Sequence, residues 1–317
     1  MPPVKTLRVR VPCSTSNLGP GFDLLGLTLS LFLEVEAHPL PPGHPHELAP
    51  GTGFAATWPA HENLVMRAFD AIFEAAGLAA PPQRFGASSE IPLARGLGSS
   101  GAAVAAGLLL GEARLIATGH ASPGRAALHE LGIDLEGHPD NVTASLFGGC
   151  TLCLPRSCEA RGPHPSVLVK QPVAPELGFA VAWGDAILPT ARAREVLPTS
   201  VPFADAVENP RRLALLLAGL ASGDAQLLAI GSHDRLHHAA RLPLIPGGAE
   251  ALAAAEAAGA YMTAINGSGS SLLAVGPRAR AAELATALGT ELARFDRNVE
   301  AHALEVVHGA PVVRAAD

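Results

Sequence analysis

An α/β or α+β chain divided into two domains is predicted, on three grounds. At about 150 residues per domain, a chain of 317 residues holds two domains or one large one. Segments with the period of a strand and segments with the period of a helix are interspersed in both halves. Residues 155–165, rich in Pro, Arg, Gly and His, interrupt both periods and mark a boundary, so the expected domains are 1–160 and 161–317. The composition suits such a chain. With 48% hydrophobic and 16% charged residues it is too apolar for disorder, and four cysteines are too few for a disulfide scaffold.

Leu7, Val9 and Val11 alternate with Arg8 and Arg10, the period of a half-buried strand. Residues 17–21 (NLGPG) break it, 24–35 resume as a second apolar stretch, and 39–59 form a Pro/Gly/His-rich connection. Apolar residues at 64, 65, 68, 69, 72 and 73 make 63–76 an amphipathic helix. Residues 85–91 read as a short strand, Pro92, Gly96 and Gly98 as a loop, and 102–117 as a helix. Residues 128–135 leave helix and strand both open, 141–146 begin a helix, and 150–154 form a strand. Past the boundary, strands are expected at 166–169, 179–183, 262–265 and 271–275, and helices at 211–221, 233–240, 250–258 and 277–294. GLGSSGAAV at 96–104 and GSGSSLLAV at 267–275 are alike. The first opens a helix and the second a strand, which reads as convergent use of a glycine turn rather than duplication.

Charge and cysteine usage exclude some function classes. Twenty-nine Asp and Glu against 22 Lys and Arg give a net charge of −7, the wrong balance for a general nucleic-acid binder, which needs a cationic excess to displace counterions from phosphates. Lys5 and Lys170 are the only lysines, so cationic work falls to arginine. Cys150 and Cys153 form C-x-x-C, but no second pair of ligands follows, and with Cys13 and Cys158 they read as free thiols rather than a zinc or redox site. The opening MPPVKTLRVRVP has neither an apolar h-region nor a small-residue cleavage site. The apolar runs at 101–111 and 213–223 are half of a ~20-residue membrane span. A cytoplasmic setting without membrane or nucleic-acid partners is the expectation.

Three segments carry chemistry. In Pro92-Leu-Ala-Arg-Gly96-Leu-Gly98-Ser-Ser-Gly101, glycines directly before a helix let backbone N–H groups converge on an anion that the helix dipole favours. A Walker loop requires a lysine that is absent between positions 5 and 170. The formal G-x-G-x-x-G match lacks a strand leading into Gly96, and Gly119-His120 stands where an acidic ribose ligand belongs. Phosphate binding is preferred over the plain alternative, glycines that only let a helix pack. The second segment, residues 12–23, sets Asn17 and Asp23 in a turn at a strand end, where substrate contacts and ordinary turn chemistry are both at home. The third, Gly137-His-Pro-Asp140-Asn141 preceded by Glu130, suits either helix capping or a polar cluster around a reacting hydroxyl. Arg194 and Arg241, each before a Pro-bearing element, could clamp a carboxylate bidentately. H-E-x-x-H and G-x-S-x-G are absent.

Together these segments resemble the GHMP superfamily of small-molecule kinases: its first motif falls at 12–23, its P-x-x-x-G-L-G-S-S loop at 92–100 and its glycine-rich third motif at 266–271. Within that group SNLGPGFD-x-LGL at 16–27, GHPDN at 137–141, AR-x-x-LP at 193–198 and R-x-x-LIPG at 241–247 are similar to the homoserine kinase family, across essentially the whole chain. The resemblance implies a ribosomal-protein-S5-like N-terminal domain that binds nucleotide and a ferredoxin-like C-terminal domain that completes the substrate site. It implies transfer of the ATP γ-phosphoryl group to the side-chain hydroxyl of L-homoserine, with Mg²⁺, on the route to threonine, and suggests a homodimer.

By the same resemblance Asn63, Pro92, Leu93, Ala94, Arg95, Gly96, Leu97, Gly98, Ser99, Ser100 and Gly101 bind the nucleotide, and Ser100 with Glu130 the metal. Asn17, Asp23, Asn141, Thr190, Arg194 and Arg241 bind the amino acid, with Asn141 and Asp140 at the reacting hydroxyl. Asp23 would pair with the ammonium and the two arginines with the carboxylate. The third motif departs from G-x-G-P-T, with serines at the Pro and Thr positions. Some relatives pair an Asp with a Lys at the hydroxyl; no lysine is suitably placed here, so catalysis by alignment without a strong side-chain base is expected. The alternatives are a mevalonate-type GHMP kinase, a non-catalytic ligand sensor and, more distantly, a dehydrogenase.

Overall fold

The computed structural model describes residues 5–49, 63–156 and 164–316. A seven-stranded sheet is built on two long strands, β1 (Thr6–Asn17) and β2 (Gly21–Pro39), joined by the turn that carries the first motif. Leu7, Val9 and Val11 point inward and Arg8 and Arg10 outward, as their alternation predicts; beyond Val11 both faces of β1 are covered and the alternation ends. β3 (Glu47–Leu48) lies parallel to β4 (Gln83–Ser89), and β4 pairs with the second half of β2. The first half of β2 pairs instead with β5 (Cys150–Leu154), which pairs with β6 (Val167–Gln171).

The helices are α1 (Leu64–Ala75), α2 (Ser99–Ala117), α3 (Gly124–Glu136) and α4 (Asp140–Phe147); α2 and α4 pack against the sheet, and α1 and α3 pack on α2. Helix α2 is apolar along nearly its whole length because 13 of its residues are buried. The ambiguous stretch at 128–135 belongs to α3, whose Leu128, His129, Gly132 and Ile133 are buried at the i, i+4 spacing of a helix.

The second half folds around β7 (Leu177–Trp183), β8 (Met262–Ile265), β9 (Leu272–Pro277) and β10 (Glu300–Leu304), in the spatial order β10-β7-β9-β8. This β-α-β-β-α-β path is the ferredoxin-like arrangement. Helices α5 (Thr190–Glu195), α6 (Phe203–Ser222), α7 (Ala225–Gly231), α8 (His238–Arg241) and α9 (Gly248–Ala257) fill the first crossover, and α10 (Ala281–Leu292) the second. Ala180 and Ala182 of β7 face α9 and α10, while Phe179, Val181 and Trp183 join the main core, which also takes Leu216, Leu220 and Leu228. A short strand, β11 (Arg314–Ala316), returns to pair with β1.

Several boundaries differ from expectation for identifiable reasons. Helix α6 starts eight residues before the expected Arg211 because Pro210 lies inside it, whereas a proline normally marks a helix end. The expected helix at 233–240 shrinks to α8, since Asp234 ties its side chain to the backbone N–H groups of Leu236, His237 and His238 and holds a turn there. The expected boundary between 160 and 161 lies outside the described residues, as does Cys158. The seven-stranded sheet takes β6 and β11 from the C-terminal side of that position. Cys13, Cys150 and Cys153 are buried free thiols, and burial pushes Cys13 and Cys150 up to about 12.

Candidate active site

The glycine loop takes its shape from contacts to the third motif. Gly96 has φ +77°, and a β-carbon there would stand 2.1 Å from the carbonyl oxygen of Asn266; Gly98 has φ +66°, with a β-carbon 2.2 Å from Ser14 Oγ. Only glycine satisfies both the conformation and the close approach. At this loop and the first motif, backbone bonds reach the second half: Leu188 N–H to Ala94 O at 3.2 Å, Ser271 N–H to Arg95 O at 3.0 Å and Gly267 N–H to Ser16 O at 3.1 Å. The two similar glycine segments therefore meet in space. Gly98 is the N-cap of α2 and donates no side-chain cap, so the first N–H groups of the helix, at Ser99 and Ser100, remain for an anion.

Two adjoining hollows share Ala94, Ser99, Ser100 and Thr190. One, of about 730 Å³, is lined mainly by apolar Leu64, Val65, Leu93, Ala94 and Ala103, with Asn63 at its edge; such a wall suits a flat heterocycle. Asn63 Oδ1 caps α1 by accepting from Val65 N and Met66 N, leaving its Nδ2 as the group it can offer. The other hollow, of about 520 Å³, is polar and takes Ser16, Asn17, Asp23, Gly96, Gly98, His138, Asp140, Asn141, Arg194, Arg241 and Ser268. Of the expected nucleotide residues, Pro92, Arg95, Leu97 and Gly101 line neither hollow. Leu97 is core, and the Arg95 guanidinium donates to the carbonyls of Leu93, Gly184 and Asp185, fixing the loop to the second half.

In the polar hollow Asp23, at φ +52°, receives a two-pronged bond from Arg194 at 2.9 and 3.0 Å. The hydrogen bond and charge of Asp23 raise the pKa of Arg194 above its ordinary value. Arg241 is 2% exposed, and burial, followed by repulsion from Arg194, pulls its pKa down. Two cations facing one cleft, one of them buried, make a site that an anion would relieve. Asn17 donates to Gly267 O and accepts from Asp23 N–H, and Thr190 Oγ1 lies 3.5 Å from Ser268 Oγ. Asn141 accepts from Ser14 Oγ and donates to Ser16 Oγ, which fixes its amide in one orientation.

The carboxylates fall differently from expectation. Ser100 Oγ donates to Glu136 Oε1 at 2.5 Å, and the Glu136 side chain is 3% exposed. Glu130, expected at the metal, instead accepts from Ser166 N–H at 2.8 Å and sits 3.7 Å from Arg156. It lies six residues earlier on α3, about 9 Å along the axis, so the carboxylate that reaches Ser100 is Glu136. Burial raises the pKa of Glu136, with help from Asp140 and against the opposing pull of His138 and Ser100. His138 Nδ1 is 2.8 Å from Asp140 Oδ1, and its Nε2 is 3.6 Å from Glu136 Oε1. Burial opposes charge on His138, but Asp140 and then Glu136 outweigh it and raise its pKa. Asp140 in turn is held low: burial pushes up, and His138, Asn141 N–H and Ser16 together pull down further. Helix α4 has Pro139 rather than Asp140 or Asn141 at its N-cap, and Asp140 Oδ1 accepts the first-turn N–H of Asn141 at 2.8 Å while also bonding His138.

Ser16, Glu136, His138 and Ser268 are site residues that the sequence reading passed over. Three of them sit inside or beside quoted motifs, and Glu136 directly precedes Gly137-His138. Neither lysine lines the cleft; Lys170 Nζ donates to Phe147 O and Gly148 O.

The chain is similar to the family GHMP kinases N terminal domain over residues 63–149 and to GHMP kinases C terminal over residues 216–294. It is 37% identical over 308 residues to the homoserine kinase of Moorella thermoacetica, covering 96% of this chain and 99% of that one. It is 39% identical over 280 residues to the homoserine kinase of Thermus thermophilus, covering 87% and 88%. The solved homoserine kinase from Cytophaga hutchinsonii superposes with a TM-score of 0.84 at 26% identity, covering 99% of both chains.

Proposed function

The chain belongs to the homoserine kinase family of the GHMP kinases, and from that premise we propose that it transfers the γ-phosphoryl group of ATP to the side-chain hydroxyl of L-homoserine. The product is O-phospho-L-homoserine, made in the cytoplasm on the route to threonine. One observation carries the reading: a carboxylate, Asp23, and two guanidiniums, Arg194 and Arg241, face one cleft that opens onto the glycine loop. That charge pattern is complementary to a zwitterion, with Asp23 for the ammonium and the arginines for the carboxylate.

In this reading residues 1–160 bind the nucleotide and residues 161–317 complete the substrate site with Thr190, Arg194, Arg241 and Ser268. Asn63 and the apolar hollow take the adenine. The N–H groups at the start of α2 and the hydroxyls of Ser99 and Ser100 take the phosphates. GHMP kinases generally use Mg²⁺ with ATP, and the oxygen donors present suit a hard cation: Ser100 and the buried carboxylate of Glu136 would hold it. When bound, the ion supplies charge neutralisation at the phosphate oxygens.

Phosphoryl transfer through a loose transition state needs alignment and neutralisation more than deprotonation. Asn141, held by Ser14 and Ser16, orients the hydroxyl. Asp140 is a weak base, because its contacts to His138 and Asn141 hold it ionised below the usual carboxylate range. Asp140→Asn is therefore expected to lower kcat by about tenfold or less, the scale of one lost hydrogen bond; a loss of several orders of magnitude at unchanged fold would show that Asp140 is the base.

The function is tested by coupled ADP release with homoserine, serine, threonine and mevalonate as acceptors. Turnover should be highest with homoserine, and none on homoserine rejects the substrate.

A further inference from the structure

We propose that His237 is a positioning residue that orients Arg241 toward the substrate carboxylate and ties that arginine to the turn of the first motif. The inference rests on the amino-acid reading of the cleft, but its geometry is independent of it. His237 is 1% exposed and lies behind the cleft, just before α8. Its Nε2 is 2.9 Å from the carbonyl oxygen of Gly19, and its Nδ1 is 3.4 Å from Nη1 of Arg241. A carbonyl can only accept and a guanidinium can only donate. The ring must therefore carry its hydrogen on Nε2 and a lone pair on Nδ1, which makes it neutral and fixes one tautomer.

The surroundings enforce that state. One oxygen of Asp234, whose side chain is fully buried, accepts the N–H groups of Leu236, His237 and His238 and pins the turn. The other oxygen is 3.8 Å from His237 Nε2 and has no hydrogen-bond partner. The imidazole packs on Phe22 with ring centroids 5.1 Å apart, and the Arg241 guanidinium lies 5.2 Å from the same ring. Burial and then Arg241 disfavour a charge on His237, while Asp234, Gly19 O and Asp23 favour one; burial wins and the pKa is lowered.

Arg241 has two other anchors, Ala193 O at 3.1 Å and Gly267 O at 3.2 Å. Both are backbone carbonyls within the second half of the chain. Of these hydrogen bonds, the one to His237 runs on into the turn through Gly19 O; the guanidinium also lies against the Phe22 ring, and Gly267 O is shared with Asn17 Nδ2. The two ends of the substrate, gripped by Asp23 and Arg241, are thus held in register with one neutral imidazole hydrogen-bonded between them.

Two measurements test this. In His237→Phe the ring volume and the contact with Phe22 remain, but both hydrogen bonds go. A lost bond to a charged group, at about 1.5–3 kcal/mol, predicts a KM for homoserine raised about 10- to 100-fold, with kcat and the KM for ATP within about threefold. His237→Asn, whose Oδ1 overlaps the position of Nδ1 but which leaves Gly19 O unmet, should recover only the part of the loss that belongs to the bond to Arg241. The preference for homoserine over 3-aminopropan-1-ol, which lacks the carboxylate, should fall by the same factor as KM rises. Equal losses on both acceptors, a loss confined to kcat, or no rescue by Asn would overturn the role.

The second measurement needs no variant that folds poorly: ¹⁵N-histidine spectra of the wild-type protein, with His237 assigned by its absence in His237→Asn. Hydrogen on Nε2 at pH 7 is expected. Hydrogen on Nδ1, or an imidazolium, sinks the proposal whether or not homoserine proves to be the substrate.

Discussion

Replacing Asp23 by Asn should raise the KM for homoserine about 100-fold and leave the KM for ATP within about twofold, because one charge of a desolvated ion pair is worth roughly 2–5 kcal/mol in binding. Asn is the fitting replacement, since Asp23 sits at φ +52°, a region asparagine tolerates well. Thermal stability should hardly change. The Asp23 and Arg194 side chains are 35% and 39% exposed, and pairs so open to water contribute little to the fold. Without substrate, Asp23 and Arg194 neutralise each other; a zwitterion offers each a replacement, but a ligand with one charge leaves one of them unpaired. The wild type should thus discriminate against 4-hydroxybutanoate, which lacks the ammonium. In the variant Arg194 is released, and the preference for homoserine over 4-hydroxybutanoate should fall by about 100-fold or more. An unchanged preference would remove Asp23 from ammonium recognition.

Glu136→Gln should separate activity from stability. With the carboxylate gone, kcat should drop about 10²- to 10³-fold, in the range of a lost electrostatic group at a phosphoryl transfer site, and the Mg²⁺ concentration for half-maximal rate should rise. The fold, by contrast, should gain. Burial raises the pKa of Glu136 above its ordinary value, so the native state holds its proton more tightly than the unfolded chain. Stability from this group is therefore present below the unfolded pKa and is lost as pH rises through the raised folded one. At pH 7 to 8 the neutral amide should melt higher, by on the order of 2 °C, and the gap should close as pH falls into the ordinary carboxylate range. Glu130→Gln is the control: held by Arg156 and Ser166 away from Ser100, it should leave kcat within about threefold. Equal losses from both substitutions would return the metal to the earlier turn of α3.

What was readable in the sequence follows from what each feature depends on. The alternation at Leu7, Val9 and Val11 is local, and the first strand follows from it. The glycines at 96 and 98 announce a backbone that side chains would block, and the structure gives the blocking atoms, Asn266 O and Ser14 Oγ. Short elements were lost: α7 is seven residues long with only Asp224 as a cap signal, and β10 is a largely exposed edge strand. The choice between Glu130 and Glu136 was not a local matter. Both lie on α3, and only the approach of its C-terminal end to the start of α2 selects one of them. His237 was invisible for the same reason, since its two partners lie 218 residues and 4 residues away and only together fix its tautomer.

The fastening of the glycine loop to the third motif also bears on how the chain comes to be competent. Ala94 O, Arg95 O and Ser16 O find their partners in Leu188, Ser271 and Gly267, and the Ser271 hydroxyl that also bonds Arg95 O lies 176 residues away from it. Such distant contacts form late, after the entropy of closing the intervening chain has been met. The phosphate cradle is thus a product of completed folding, absent from any state in which β8 and β9 have not yet docked. Nucleotide, binding only the finished form, draws the population toward it, and ATP affinity becomes a measure of how much of the chain has finished folding.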